Sequence, residues 1–95
     1  MLKELKDVDV KDGKVVIKFS ASWCGPCKSF QPTFEKVAAD FDFPFVEVDI
    51  DDVMAMAQQY GVRSVPTVVM VEDGEIVRSN AGNTSESRFR DFITE

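Results

Sequence analysis

Two cysteines three positions apart are the residues of this chain best suited to chemistry. Cys24 and Cys27 enclose Gly25 and Pro26, and the sequence contains no other cysteine and no histidine. Two cysteines across the first turn of a helix have Cα atoms roughly 5–6 Å apart, which a disulfide accepts. Without histidine, a triad that needs imidazole and a four-ligand zinc site within one chain are nearly excluded. The pattern therefore predicts dithiol–disulfide chemistry.

The position of the pair between a strand and a helix gives its two thiols different predicted roles. Cys24 lies at the predicted helix N-terminus, where unpaired N–H groups and the positive dipole end favour a thiolate. An unperturbed thiol, with a pKa of about 8.5, would be only a few per cent ionised at pH 7. We therefore expect Cys24 to be the nucleophile and Cys27, one turn deeper and shielded, to be the resolving thiol.

Two other interpretations of the cysteine pair stay open at this point. The pair could be half of a zinc site completed by a second chain, or two ordinary buried small apolar residues. A structural disulfide is not expected in a cytosolic protein, where thiols stay reduced. The strand-then-helix setting favours the redox interpretation.

The residues around the pair predict alternating strands and helices. Apolar and β-branched runs predict strands over residues 14–20, 43–49 and 67–71, and Asp73-Gly74 predicts a tight hairpin into a strand over residues 75–79. After Cys24 the apolar residues take helical spacing, in a stripe formed by Phe30, Phe34, Val37, Ala38 and Phe41.

Two more helices complete the predicted α/β fold. One covers residues 53–60 and is closed by Gly61, and the other is capped by Asn83, with Glu86 three residues later. A strand–helix–strand unit implies parallel strands with a crossover. We therefore expect a central mixed β-sheet flanked by helices on both faces, in one domain spanning residues 1–95.

Charge and hydropathy narrow the classes of partner. The formal net charge of −6, from 17 acidic and 11 basic residues, argues against nucleic acid or an anionic membrane as the main partner. Apolar stretches reach about five residues, against roughly 20 needed to span a bilayer. Residues 1–7 contain no apolar signal region, so we expect a cytoplasmic protein. The carboxylates of Asp49, Asp51 and Asp52 lack the spacing of a calcium loop, so we expect no metal site.

Three segments make the chain resemble the thioredoxin family. The run from Phe19 to Lys28, Phe-Ser-Ala-Ser-Trp-Cys-Gly-Pro-Cys-Lys, matches the family signature almost residue for residue. Residues 61–67, Gly-Val-Arg-Ser-Val-Pro-Thr, resemble the family's second element, and Ala81-Gly82 occupies the place of a glycine that lines the substrate groove. The resemblance covers roughly residues 14–95.

The resemblance implies a fold, a substrate groove and an activity. It implies the thioredoxin fold and a cis peptide bond at Val65-Pro66, which leaves the backbone of Val65 free to pair with an extended substrate strand. The docking surface implied is flat and mostly apolar, formed by Trp23, Gly25, Pro26, Val65, Pro66 and Gly82. We expect a thiol–disulfide oxidoreductase that reduces protein disulfides.

The partners implied are protein disulfides and an electron donor. The resemblance implies a monomer that needs no bound cofactor and receives electrons from an NADPH-dependent thioredoxin reductase. Two alternatives stay open: a glutathione-linked glutaredoxin-like enzyme and a non-catalytic module that binds and stabilises a partner. The Gly25-Pro26 pair between the cysteines counts against the glutaredoxin-like alternative.

The sequence departs from the family pattern in two places. Only thirteen residues precede the strand at residue 14, so we expect the family's first helix to be missing or reduced to a turn. Residues 7–11 would either form a hairpin with that strand or, as we prefer, belong to an irregular connection that follows a short edge strand near residues 2–5.

The second departure exchanges two charges near the cysteines. Lys18 occupies the position of the family's usual buried aspartate, and Glu47 that of a lysine which many members carry. Either both side chains extend into solvent, or they form a partly buried ion pair. In the second case we expect Glu47 to accept the Cys27 proton and Lys18 to favour the Cys27 thiolate.

Overall fold

A mixed four-stranded sheet forms the centre of the computed structural model, which describes residues 2–95. Within these residues the elements are β1 (Lys14–Ser20), α1 (Gly25–Ala38), β2 (Phe45–Asp49), α2 (Met54–Gln59), β3 (Thr67–Glu72), β4 (Glu75–Ala81) and α3 (Glu86–Thr94). The strand order is β2-β1-β3-β4. β1 and β2 are parallel, and β3 is antiparallel to both of its neighbours. The predicted mixed sheet is therefore confirmed.

Each face of the sheet carries its own apolar core. Because side chains alternate along a strand, Val16 packs with phenylalanines of α1 and α3, whereas Val15 and Ile17 pack with Ala57 of α2. The ring of Phe34 lies 5.6 Å from that of Phe45 and 5.8 Å from that of Phe89, between centroids. Helices therefore cover both faces of the sheet, as predicted.

The segment before β1 contains one helical turn. Leu5–Asp7 form a 3-10 turn, and Lys3 makes a single parallel bridge to Val46 at the edge of the sheet, with its N–H donating to the Phe45 carbonyl at 2.8 Å. Residues 8–13 form turns and bends rather than the alternative hairpin strand. Where the resemblance implies a helix and a strand, residues 2–13 thus contain one helical turn and one bridge.

Some predicted boundaries were wrong by two or three residues. β2 begins at Phe45 rather than at residue 43, because Pro44 has no N–H to donate to a sheet. α1 ends at Ala38, so Phe41 lies beyond the helix and packs half-buried against the core. β4 continues to Ala81, two residues past its predicted end.

The cap of α3 is a further correction. Ser85, not Asn83, precedes the first helical residue, and its Oγ accepts a hydrogen bond from the N–H of Arg88 at 3.2 Å. Ser85 has the extended backbone that an N-cap requires. Asn83 lies two residues earlier, where its side chain is not the cap.

The predicted turns have the expected backbone. Asp73 and Gly74, between β3 and β4, have φ angles of 51° and 87°, the two positive values that a tight type I′ hairpin requires. Gly61, with φ of 71°, follows Tyr60, the C-cap of α2. The hairpin therefore lies where the sequence predicts it, whereas α2 is one residue shorter at each end than predicted, with Val53 and Tyr60 as its caps.

Candidate active site

The cysteine pair lies where β1 is followed by α1. Cys24 is the N-cap of α1, and its Sγ accepts a hydrogen bond from the N–H of Cys27 at 3.1 Å. The two cysteines form a disulfide, with their Cα atoms 5.3 Å apart, within the distance expected from their spacing. Pro26 fits in the first helical turn because no intrahelical partner needs its missing N–H. The helix N-terminus therefore holds the sulfur of Cys24 against a backbone donor.

Burial does not separate the two cysteines. Cys24 is 4% exposed and Cys27 is 3% exposed, and both pack with Ala21 and the half-buried Val65. What differs is their surroundings: Cys27 lines a cleft beside β1 and β2, whereas Cys24 caps the helix. The geometry thus distinguishes the thiols by their neighbours rather than by their exposure.

Trp23 presents its indole to solvent beside the pair. Its side chain is among the exposed large apolar groups, at 66% exposure, so Trp23 is not a core residue. The indole Nε1 donates a hydrogen bond to Asp51 Oδ2 at 3.2 Å. Gly25 and Pro26, which follow Cys24, are exposed as well. These residues form an accessible surface next to the disulfide.

The segment before β3 supplies the other side of this surface. The Val65-Pro66 peptide bond is cis, and Val65 contacts the cluster that contains both cysteines. Gly82, after β4, has φ of 91° and donates its N–H to the Pro66 carbonyl at 2.7 Å. The structure therefore brings the three sequence segments of the expected groove into one region.

Lys18 and Glu47 form an ion pair across neighbouring strands. They are partners in the β1–β2 register, and Lys18 Nζ lies 2.8 Å from Glu47 Oε2. The Lys18 side chain is 1% exposed and that of Glu47 is 36% exposed. The ammonium group lies 5.4 Å from the ring centroid of Phe34 and 5.9 Å from that of Phe30. Lys18 is thus buried rather than extended into solvent.

An open cleft of about 700 Å³ joins the ion pair to Cys27. Lys18, Glu47, Cys27 and Gln31 all line it, and Gln31 Oε1 accepts a hydrogen bond from Lys18 Nζ. Gln31 is a residue of this cleft that the sequence pattern did not indicate. The signal that could have found it is its place four residues after Cys27, which puts both side chains on one face of α1.

Two carboxylates at the end of β2 are engaged within the chain. Asp49 Oδ1 accepts the N–H of Asp51 at 2.8 Å, and Asp51 in turn accepts the indole of Trp23. In the part of the chain that the structure describes, no three side chains of His, Cys, Asp or Glu are grouped so as to hold a metal ion. Nor does that part contain a helix with the length and apolarity to cross a bilayer.

Comparisons with known proteins agree with this geometry. The family model described as thioredoxin matches residues 3–95. A thioredoxin of Mycoplasmoides gallisepticum is 37% identical over 91 residues, covering 95% of this chain and 91% of its own length. A thioredoxin of Haemophilus influenzae is 33% identical, covering 88% of this chain and 80% of its own.

A solved structure is similar to this chain both in fold and in sequence. A mutant thioredoxin from Halobacterium salinarum superposes with a TM-score of 0.84 at 39% identity, covering 94% of this chain and 79% of its own.

A disulfide at a helix N-terminus, beside a cis-proline and above a mixed sheet, defines the class of dithiol proteins that exchange disulfides with other proteins. This chain belongs to the thioredoxin family. It is a thiol–disulfide oxidoreductase, a protein-disulfide reductase with Cys24 and Cys27 as its redox pair. The comparisons do not favour the glutaredoxin-like or the non-catalytic alternative, and reduction by this dithiol needs no bound cofactor.

Proposed function

We propose that Cys24 is the attacking thiolate and Cys27 the resolving thiol in the reduction of protein disulfides. The observation that carries the assignment is the N–H of Cys27, which points at Cys24 Sγ from 3.1 Å. In the reduced protein the same donor, together with the positive end of α1, stabilises a thiolate at Cys24. Cys27 has no such donor from the helix terminus, which leaves it as the thiol that acts second.

The proposed reaction has two exchange steps. The Cys24 thiolate attacks one sulfur of the substrate disulfide, an S–S bond forms to Cys24, and the other substrate sulfur leaves as a thiolate. Cys27 then loses its proton and attacks Cys24 Sγ, which releases the second substrate thiolate. Two electrons have passed to the substrate, and the Cys24–Cys27 disulfide remains.

We assign the proton transfer at Cys27 to Lys18 and Glu47. Glu47, directly or through water in the cleft that it shares with Cys27, accepts the proton as Cys27 attacks. Its 36% side-chain exposure lets it pass that proton on to solvent. Lys18, a buried cation lining the same cleft, favours the Cys27 thiolate.

We assign substrate docking to the surface beside the cysteines. An extended segment on one side of the substrate disulfide would pair with the backbone at Val65 and lie on Trp23 and Gly82. Gly25 and Pro26 complete this surface next to Cys24, with Pro66 beneath it. The exposure of Trp23, at 66%, and the contact between Val65 and the cysteine cluster support this placement.

We further propose an electron donor, an oligomeric state and a cellular location for this enzyme. Electrons come from an NADPH-dependent thioredoxin reductase, and the enzyme acts as a monomer, with residues 1–95 as one thioredoxin-like domain. A dithiol that ends each cycle oxidised needs a reducing supply, which favours the cytoplasm. The family assignment supports disulfide-containing proteins and a reductase as its partners.

Insulin reduction tests the roles of the two cysteines. We expect the protein to accelerate insulin precipitation with dithiothreitol, and also with NADPH and a thioredoxin reductase. Cys24→Ser should abolish turnover, whereas Cys27→Ser should accumulate a mixed disulfide at Cys24 that non-reducing mass spectrometry detects. A mixed disulfide at Cys27 in the Cys24→Ser protein, with none at Cys24 in Cys27→Ser, would reverse the assignment.

The double variant separates catalysis from binding. If Cys24→Ser/Cys27→Ser keeps the full biological effect of the protein while losing insulin reduction, the chain acts as a binding module. Loss of both supports the reductase.

A further inference from the structure

Gln31 connects the helix that carries the cysteines to the buried charge pair. It lies on α1 one turn after Cys27, and its side-chain Oε1 accepts a hydrogen bond from Lys18 Nζ. Both Gln31 and Cys27 line the cleft into which the ion pair opens. The ammonium of Lys18 is thus held from α1 as well as from β2.

The ammonium depends on these two partners because its other neighbours are apolar. A buried ammonium is costly unless its donors are paired, and Lys18 is 1% exposed. Glu47 Oε2 at 2.8 Å takes one donor and Gln31 takes another, while the rings of Phe30 and Phe34 cover the group from 5.9 and 5.4 Å.

The two polar partners act on the ammonium from different directions. Glu47 belongs to β2, an edge strand of the sheet, and its side chain is 36% exposed, so it draws Lys18 towards the solvent side. Gln31 belongs to the helix packed over the sheet, so it draws Lys18 towards α1. Without Gln31 the attraction to Glu47 would be opposed only by apolar packing.

We propose that Gln31 is a positioning residue, which holds the Lys18 ammonium on the Cys27 side of the cleft and thereby lowers the pKa of the Cys27 thiol. The inference rests on the role proposed above for Lys18. A cation favours a nearby thiolate in proportion to its closeness, so its distance from Cys27 matters. Because the amide of Gln31 is neutral, it fixes the cation without neutralising it.

The charged side chains of the cleft are the same in the unmodified protein and in a Gln31 variant. The charged side chains that line it are Lys18 of β1, Glu47 and Asp49 of β2, Lys28 of α1 and Asp52 after β2. A change at Gln31 removes no charge from this set. Any change in the Cys27 pKa would therefore come from the position of an existing charge.

The test measures the pKa of the Cys27 thiol in the full-length Cys24→Ser protein. In that background Cys27 is the only thiol, and the pH dependence of its alkylation by iodoacetamide gives its pKa. We expect Gln31→Met, which keeps the length of the side chain but loses the acceptor, to raise that pKa by about half a unit, a roughly threefold lower thiolate fraction at pH 7. Gln58→Met, an exposed change on α2, is the matched control and should leave it unchanged.

A double-variant cycle with Lys18→Met separates this inference from the role of Lys18 itself. We expect Lys18→Met to raise the Cys27 pKa by more than Gln31→Met does, and Gln31→Met to add nothing once Lys18 is gone. An effect of Lys18→Met without one of Gln31→Met would overturn the positioning role alone. No effect of Lys18→Met would overturn both proposals, provided that thermal melting shows a folded protein. An equal effect of Gln31→Met with and without Lys18 would also overturn the positioning role.

Discussion

Lys18 is a cation on the face of the sheet that α1 covers, where Val16 of the same strand packs into the apolar core. A lysine at 1% exposure is compatible with the fold because a carboxylate, an amide and two aromatic rings surround its ammonium. Its cost of burial is offset only by that complete set of partners. The role proposed here for Lys18 at the second thiol therefore depends on residues contributed by β1, β2 and α1 together.

Glu47→Gln tests the carboxylate at the scale of a single residue. The amide keeps the size of the side chain but cannot accept a proton, so we expect the attack of Cys27 on the mixed disulfide to slow by about 10²-fold at pH 7, the lower end of the range for general-base catalysis. The acidic limb of the pH–rate profile should flatten. Single-turnover stopped flow can follow the step through Trp23, the only tryptophan in the chain.

Glu35→Gln provides the control for Glu47→Gln. Glu35 is an exposed carboxylate on α1 and is not among the residues that line the cleft, so the rate and its pH profile should stay as in the unmodified protein. Equal rates and pH profiles for Glu47→Gln and the unmodified enzyme would show that the proton leaves by another route.

The sequence identified part of this site and could not have identified all of it. The spacing of Cys24 and Cys27 predicts the redox pair. So does their position, because the apolar residues follow a strand pattern before Cys24 and helical spacing after it. The exchanged charges of Lys18 and Glu47 were visible only against the family pattern. Gln31 carried no signal, because an isolated glutamine on a helix is usually a solvated side chain and only the packing angle of α1 brings it to Lys18.

At the scale of elements, the strong periodic patterns located the strands and helices, while local chemistry determined where they end. Residues 14–20 were predicted without error because their apolar run is bounded by Gly13 and by the polar residues that follow it. The start of β2 depends on Pro44, by contrast, and the residues beyond the end of α1 on the tertiary contacts of Phe41. Sequence spacing does not contain those contacts, so the boundaries were wrong while the order of the elements was correct.

The cap of α3 can be checked with two alanine substitutions. Ser85 Oγ accepts the N–H of Arg88 at 3.2 Å, so Ser85→Ala should lower the free energy of unfolding by about 1 kcal/mol. Asn83→Ala removes a similar polar side chain two residues earlier and should change it by less than about 0.5 kcal/mol. Urea denaturation followed by circular dichroism measures both. If Asn83→Ala lowered the free energy of unfolding by more than Ser85→Ala, Asn83 would be the cap, as the sequence predicts.

At the scale of the whole molecule, an ion network ties α3 to α1 outside the active site. Arg90 lies 2.6 Å from Asp40 and 3.1 Å from Glu86, and Glu86 lies 3.0 Å from Lys36, between charged atoms. Hydrogen bonds from Lys36, and then from Arg90, lower the pKa of Glu86 below its ordinary value. The same helix packs Phe89 into the core. The network therefore holds in place a helix that covers one face of the sheet.

The network makes stability depend on pH in a definite direction. With its pKa lowered in the folded state, Glu86 contributes stability that is fully present above its unfolded value of 4.5 and is lost as the pH falls through the folded value. We expect Glu86→Gln to lower the melting temperature at pH 7, by a small amount because the group is at the surface. The difference from the unmodified protein should shrink as the pH falls from 4.5 to 3.

Calorimetry at several pH values measures that difference. The control is Glu35→Gln, which removes an exposed carboxylate of α1 outside the network and should give melting temperatures close to those of the unmodified protein throughout. A difference for Glu86→Gln that is constant between pH 7 and pH 3 would contradict the linkage.

The register between β1 and β2 has a consequence for how this protein can change over evolutionary time. Lys18 and Glu47 face each other on adjacent strands, so a change of either residue alone to the family's usual charge is destabilising. Lys18→Asp would leave two carboxylates side by side, and Glu47→Lys would leave two ammonium groups, one of them buried; both intermediates are penalised by like-charge repulsion. The two positions are therefore epistatic, and a lineage moving between the two charge arrangements must cross a less stable single mutant, replace both residues together, or first pass through an uncharged pair.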